Sequence, residues 1–95
     1  MDIELAKKIR NPLTEAETEA QTVSHSLEFC FQLPDRAGTL RTLVTINTPM
    51  PVYVPRVGET VTLNGFDLKC MAVETEYRIL QGTLHLTTTV TVDEF

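Results

Sequence analysis

The sequence predicts a mainly β chain: a small, partly open antiparallel barrel of about five to six strands, preceded by a short N-terminal helix. Three observations carry that reading. From Val23 onward apolar residues recur at every second position, which is the periodicity of half-buried strands. Gly and Pro fall between those runs in turn-forming clusters. Asn64-Gly65 sits between two apolar runs, and this pair favours the tight type I′ hairpin, which needs positive φ at both positions.

The totals fit one domain. Ninety-five residues, 42% of them hydrophobic and 22% charged, suffice for one modest core. A net charge of −5 and a pI near 4.9 argue against a large basic footprint for nucleic acid or an anionic membrane. The one basic cluster is Lys7-Lys8-Ile9-Arg10. No apolar run approaches the roughly 20 residues of a membrane span, and the first residues, Met-Asp-Ile-Glu-Leu-Ala-Lys-Lys, lack the apolar segment of a secretory signal. A cytoplasmic location is the expectation. Cys30 and Cys70 follow no metal or redox spacing, so two thiols in or near the core are expected.

The chain divides near residue 23 into a helix with an extended arm, 1–23, and a β-barrel, 24–95. Asp2 can cap a helix on which Ile3, Ala6 and Ile9 share a face, with Leu5 beside it. Asn11-Pro12 ends it, because the residue before a proline is pushed out of the α region. For residues 12–23 two readings stand. Thr14-Glu15-Ala16-Glu17 has the form of a capping box that would start a second helix. The alternation of Ala16, Thr18, Ala20 and Thr22 with acidic and amide residues is strand-like.

The strands follow in order. Val23, His25, Leu27, Phe29, Phe31 and Leu33 share one face, opposite Ser24, Ser26, Glu28, Cys30 and Gln32. Residues 34–38, Pro-Asp-Arg-Ala-Gly, form a turn. Leu40, Thr42, Val44 and Ile46 make the inward face of the next strand, leaving Leu43 outside, where it can pack under the N-terminal segment. Thr48–Pro55 holds three prolines in eight residues, so it is an edge strand or a polyproline-like connection. A two-residue turn at Asn64-Gly65 then sets Leu63 against Phe66 and Val61 against Leu68. Gln81-Gly82 as the last turn sets Ile79 against Leu84, Tyr77 against Leu86, Val73 against Val90 and Met71 against Val92. A one-residue slip would invert every side chain, which selects this register. Inward residues are even-numbered at Phe66 and Leu68 but odd-numbered at Met71 and Val73, so a β-bulge near Lys69-Cys70 must bend the strand.

Pro55-Arg56-Val57-Gly58-Glu59-Thr60-Val61, Asn64-Gly65 and Met71-Ala72-Val73 together resemble the small SH3-like β-barrels, over roughly residues 50–92. In those barrels a Pro-x-x-Gly-acid-x-Val stretch leads into a strand and serves turn geometry. The resemblance implies an SH3-like barrel and no particular activity. The whole chain also resembles in style the small, mostly uncharacterised proteins of bacterial phages and integron gene cassettes, which implies no functional residue.

Catalytic chemistry finds little footing. Glu74, Glu76 and Arg78 share the outward face of the last hairpin with His85, Thr87 and Thr89, and Arg78 should lie opposite His85. Paired-carboxylate catalysis needs two acids around one atom with pKa values driven apart by burial, whereas these residues form a wet, secondary polar face. Ser24-His25-Ser26 alternates across a strand and cannot be a dyad. His25, His85, Cys30 and Cys70 fall on different faces, so no metal site is expected, and no glycine pattern suits a phosphate loop or a cofactor. The surface left for function is the Pro-rich segment, with Met50, Val52, Tyr53 and Arg56 as a candidate interaction surface. The expected role is a non-catalytic protein–protein interaction module, binding a protein partner or its own copies. The alternatives are a single-stranded nucleic-acid binder using Tyr53 beside Arg56, and a small-molecule binder or unrecognised enzyme.

Overall fold

A computed structural model describes residues 1–10, 22–36 and 38–95. Helix α1 spans Ile3–Arg10. Asp2 caps it, its Oδ1 accepting the Glu4 N–H at 3.1 Å, which satisfies one of the amide groups that a helix start leaves without a partner. No residue of α1 is buried. Asn11-Pro12 and both readings of the arm fall outside the described residues, apart from Thr22 and Val23, which are strand.

Five strands follow: β1 Thr22–Gln32, β2 Leu40–Thr48, β3 Thr60–Leu63, β4 Phe66–Leu80 and β5 Thr83–Glu94. They form one sheet in the order β2-β1-β5-β4-β3. The chain is thus mainly β, a curled, partly open half-barrel with one short helix, as the sequence predicts. One pairing departs from the antiparallel expectation: β1 and β5 run parallel, from Thr22 beside Thr83 to Cys30 beside Thr91. The ladder starts with Thr22 N–H donating to the Gly82 carbonyl at 3.4 Å and with the Thr22 and Thr83 hydroxyls 2.7 Å apart. Both strands are central and each offers one apolar face. Periodicity fixes that face but carries no information on which non-sequential strands meet, or in which direction.

The hairpin registers match the sequence reading. Asn64 and Gly65 have φ of 51° and 87°, and Leu63 faces Phe66 with Val61 facing Leu68. Gln81 and Gly82 likewise have positive φ, with Ile79 facing Leu84, Tyr77 facing Leu86 and Val73 facing Val90. The β4 bulge exists, displaced by one or two residues. Cys70, not Met71, pairs with Val92, and Met71 is the extra residue before Ala72. Met71 is therefore exposed rather than inward. Its place is taken by the small, apolar Cys70, at 0% exposure.

A second bulge lies on β2. Phe29 pairs with Val44 but Cys30 with Thr42, so Leu43 is the inserted residue. This corrects its assignment to the outer face under the N-terminal segment, because a bulge breaks the alternation on which that assignment rested. Val44 and Ile46 keep the inward face, opposite Phe29 and Leu27. The bulge turns Thr42 and Leu40, also expected inward, to the other face, opposite Cys30 and Gln32. Every residue of β2 except Thr48 is exposed.

The Pro-rich stretch is not an edge strand. β2 and β3 lie at opposite edges of the sheet, so residues 49–59 must pass over β1, β5 and β4, about 19 Å at the usual strand spacing. Eleven extended residues cover that easily. They pass over the apolar face, where Val52 and Val54 pack on the core of Leu27, Phe29, Val61, Cys70, Val90 and Val92. Prolines suit a segment that must cross a sheet without donating to any ladder. At its end Glu59 N–H donates to the Arg56 carbonyl at 3.0 Å, with Gly58 at a φ of 91°, the positive value that a type II turn needs at its third position.

Candidate functional site

The segment that crosses the sheet leaves part of the concave face uncovered. Beyond it, toward the end of β1, lies a groove of about 790 Å³. Its walls come from three places in the chain. Phe31 lies near the end of β1 and Leu33 just past it, Leu43 and Val44 stand at the β2 bulge, and Leu63, Phe66 and Leu68 line the β3–β4 hairpin, over a floor of Val92. The tight Asn64-Gly65 turn sets Phe66 directly opposite Leu63 on the concave side. At the open end of the sheet nothing described covers the Phe66 ring, which is 73% exposed. Asp93 and Glu94 lie at the groove's rim, so an apolar trough carries acid at one side.

Val52 turns inward, whereas Met50, Tyr53 and Arg56 stay on the solvent side of the crossing segment. Tyr53 and Arg56 serve the segment itself. The Tyr53 hydroxyl donates to the Glu59 carboxylate, at 3.0 Å from Oε1 and 2.8 Å from Oε2. The Arg56 backbone N–H donates to Glu59 Oε1 at 3.0 Å. The hydrogen bond to this carboxylate holds the Tyr53 phenol above its ordinary pKa of 10.0, with desolvation and the Glu59 charge adding to it. Tyr53 and Arg56 are thus joined through Glu59, a residue the sequence reading had used only as part of a turn.

On the outward side of the last hairpin the predicted register holds. Arg78 lies opposite His85, Glu76 opposite Thr87 and Glu74 opposite Thr89. Arg78 and Glu76 form an exposed ion pair at 3.2 Å, and with Leu80 and Thr87 they border a shallow hollow of about 270 Å³. An open pair of this kind contributes little stability.

Among the described residues no three metal-ligating side chains gather, and no helix is long and apolar enough to cross a membrane. Cys70 belongs to the core of the concave face. Cys30 lies on the other face, with its Sγ 3.9 Å from Thr42 Oγ1. Burial, followed by the Glu59 charge, pushes the Cys70 thiol above its ordinary pKa of 9.0, which keeps it protonated and unreactive. Among the described residues the one buried hydroxyl, that of Thr88, is 3.1 Å from Thr75 Oγ1. It is satisfied within the sheet and does not wait for a substrate.

No known protein family, curated protein or solved structure matches the chain. An apolar trough with acid at its rim can seat apolar side chains. The sequence reading placed Leu63, Phe66 and Leu68 on the inward parity. The signal it lacked was that their strands end beyond the crossing segment.

Proposed function

We propose that the chain is a non-catalytic protein–protein interaction module, and that the uncovered part of its concave face is where a second polypeptide seats. The observation that carries this is the groove between Phe31, Leu43, Val44 and Phe66, with β2 exposed beside it. Contiguous apolar surface rimmed by charge is the usual mark of a protein contact. The earlier candidates Met50 and Tyr53 lie on the outer side of the crossing segment, a separate and more polar surface.

The test is capture by tagged protein with and without nuclease, using wild type, Phe66→Asp and a Met50→Ser/Tyr53→Ser double variant. Phe66 is largely solvent-exposed, so Phe66→Asp should fold like the wild type, which circular dichroism verifies. The expected result is a protein partner, this chain included, that survives nuclease and is lost with Phe66→Asp alone. Loss with the double variant alone would return the surface to the Pro-rich segment. Recovery abolished by nuclease would overturn the reading in favour of single-stranded nucleic acid.

A further inference from the structure

The sheet has a second unfinished feature, away from the groove. β3 is four residues long and pairs only with Phe66–Lys69 of the 15-residue β4. The turn before β3 extends this cover by one residue, with Gly58 N–H donating to the Cys70 carbonyl and Cys70 N–H to the Glu59 carbonyl, both at 2.9 Å. From Met71 to Leu80, no described residue pairs with the outer edge of β4. A row of ten residues is a long bare edge, and natural sheets blunt such edges with Pro, charged side chains or a bulge. Here the devices are the bulge at Met71 and the charges of Glu74, Glu76 and Arg78. The nine residues after the bulge, Ala-Val-Glu-Thr-Glu-Tyr-Arg-Ile-Leu, contain no Pro, and their charges are of both signs and can be matched by a partner strand.

Ladder geometry fixes what this edge presents. Leu80 and Thr83 flank the two-residue turn and pair with each other, so alternate residues back along β4 direct their amides to β5. Val73, Thr75, Tyr77 and Ile79 therefore turn their N–H and C=O groups to the open side. Tyr77 is the large side chain of this stretch and is 69% exposed.

We propose that β4 pairs antiparallel with β4 of a second copy, with the twofold axis through Tyr77. This rests on the interaction reading above and names one partner for it. The charges select the register. With Tyr77 opposite its own copy, Glu76 faces Arg78 of the second copy on the outer face, and Arg78 faces Glu76. Two opposite-charge pairs form and no like charges meet. Centring on Thr75 sets Glu74 against Glu76 twice. Centring on Glu76 or Arg78 sets that residue against its own copy. In the Tyr77 register the apolar face continues across the join, with Thr75 opposite Ile79. β2, the other open edge, carries only Arg41 as a charge and has no register that charge would choose.

The experiment uses the full chain. Light scattering should give twice the 10.7 kDa chain mass. Arg78→Glu makes both cross-strand pairs repulsive and should weaken the dimer by roughly tenfold or more. Adding Glu76→Arg to it exchanges the two charges, restores both pairs and should recover the dimer. The same exchange restores the 76–78 ion pair within each chain, but that pair is exposed and contributes little stability, so recovery reads the pairs across the join. Tyr77→Cys should cross-link to itself under oxidation, because directly paired Cα atoms are about 5.5 Å apart, within disulfide range. Thr75→Cys should not, because its own copy then lies about four residues along the strand. A monomer at all concentrations, a dimer indifferent to the charge exchange, or cross-linking through Thr75→Cys instead would each overturn the proposal. A monomer that still captures a protein through Phe66 would leave the interaction module standing and remove only this pairing.

Discussion

Val44 and Val90 flank the same ring. Both pair with Phe29, one from β2 and the other from β5, and both point to the concave side. Val90 is 0% exposed and Val44 37%. Residue type, partner and face are the same; what differs is that Val90 has a strand on either side and the crossing segment above it, while Val44 stands on an edge strand. Residues 49–59 lay Val52 and Val54 over the core that contains Val90, while β2 stands at the edge beyond that cover. The core of this half-barrel is made by a connection as much as by its sheet. Where the connection does not reach, apolar side chains remain open to a partner.

The largest expected effect follows from that pair. Val90→Ala should lower unfolding stability by about 2–3 kcal/mol, from the lost methyl burial and the cavity left behind. Val44→Ala should cost less than about 1 kcal/mol, since much of its side chain already meets water. Urea titration of both variants checks the ratio. Costs that are equal at every protein concentration would break the comparison. A Val44→Ala cost that grows with protein concentration would sharpen it, because a second polypeptide would then be covering β2.

The same contrast explains what the sequence disclosed. Strand periodicity marked the concave residues, and the two type I′ turns fixed Leu63 against Phe66 and Ile79 against Leu84, because local turn chemistry sets a hairpin's register. The β4 phase change was legible as a conflict of parity between Leu68 and Val73, although its position, at Met71, was not. Two things were hidden, and both are non-local. The parallel pairing of β1 with β5 joins strands some 60 residues apart. The path of 49–59 depends on β2 and β3 falling at opposite edges. The prolines were read correctly as barring a ladder position, but the side of the sheet on which they ran was not written in them. The groove, the consequence of that path, was therefore out of reach of the pattern.

A medium effect concerns the end of the crossing segment. Glu59→Ala removes the acceptor for both the Tyr53 hydroxyl and the Arg56 N–H. It should cost about 1–2 kcal/mol, the usual range for charge-assisted hydrogen bonds partly open to water. Tyr53→Phe, which leaves the Arg56 bond in place, should cost less. Because Val52 and Val54 are held by this segment, Glu59→Ala should also speed hydrogen exchange at Cys70, whose N–H donates to the Glu59 carbonyl. Exchange at Cys70 unchanged from wild type would mean that the side-chain lock does not hold the segment down.

The smallest effect is a dependence on pH, and its sign follows from the same carboxylate. Tyr53 is raised above 10.0, first by its hydrogen bond to Glu59, and Cys70 above 9.0, first by burial. Both groups are neutral when protonated, and in both the folded chain holds the proton more tightly than the unfolded chain. Their contributions are complete below the unfolded values. They fade as pH rises through the folded ones, because the unfolded state then binds fewer protons. Stability should be level up to about pH 9 with respect to these two groups and should decline above it, Cys70 acting first and Tyr53 next. Tyr53→Phe should remove the later part of the decline and leave the earlier part, as read from urea midpoints across the alkaline range. A decline that keeps its full slope in Tyr53→Phe would show that the phenol is not bonded to Glu59 in solution. The segment would then owe its place over Val90 to Val52 and Val54 alone, and the contrast with Val44 would rest on apolar cover without a polar lock.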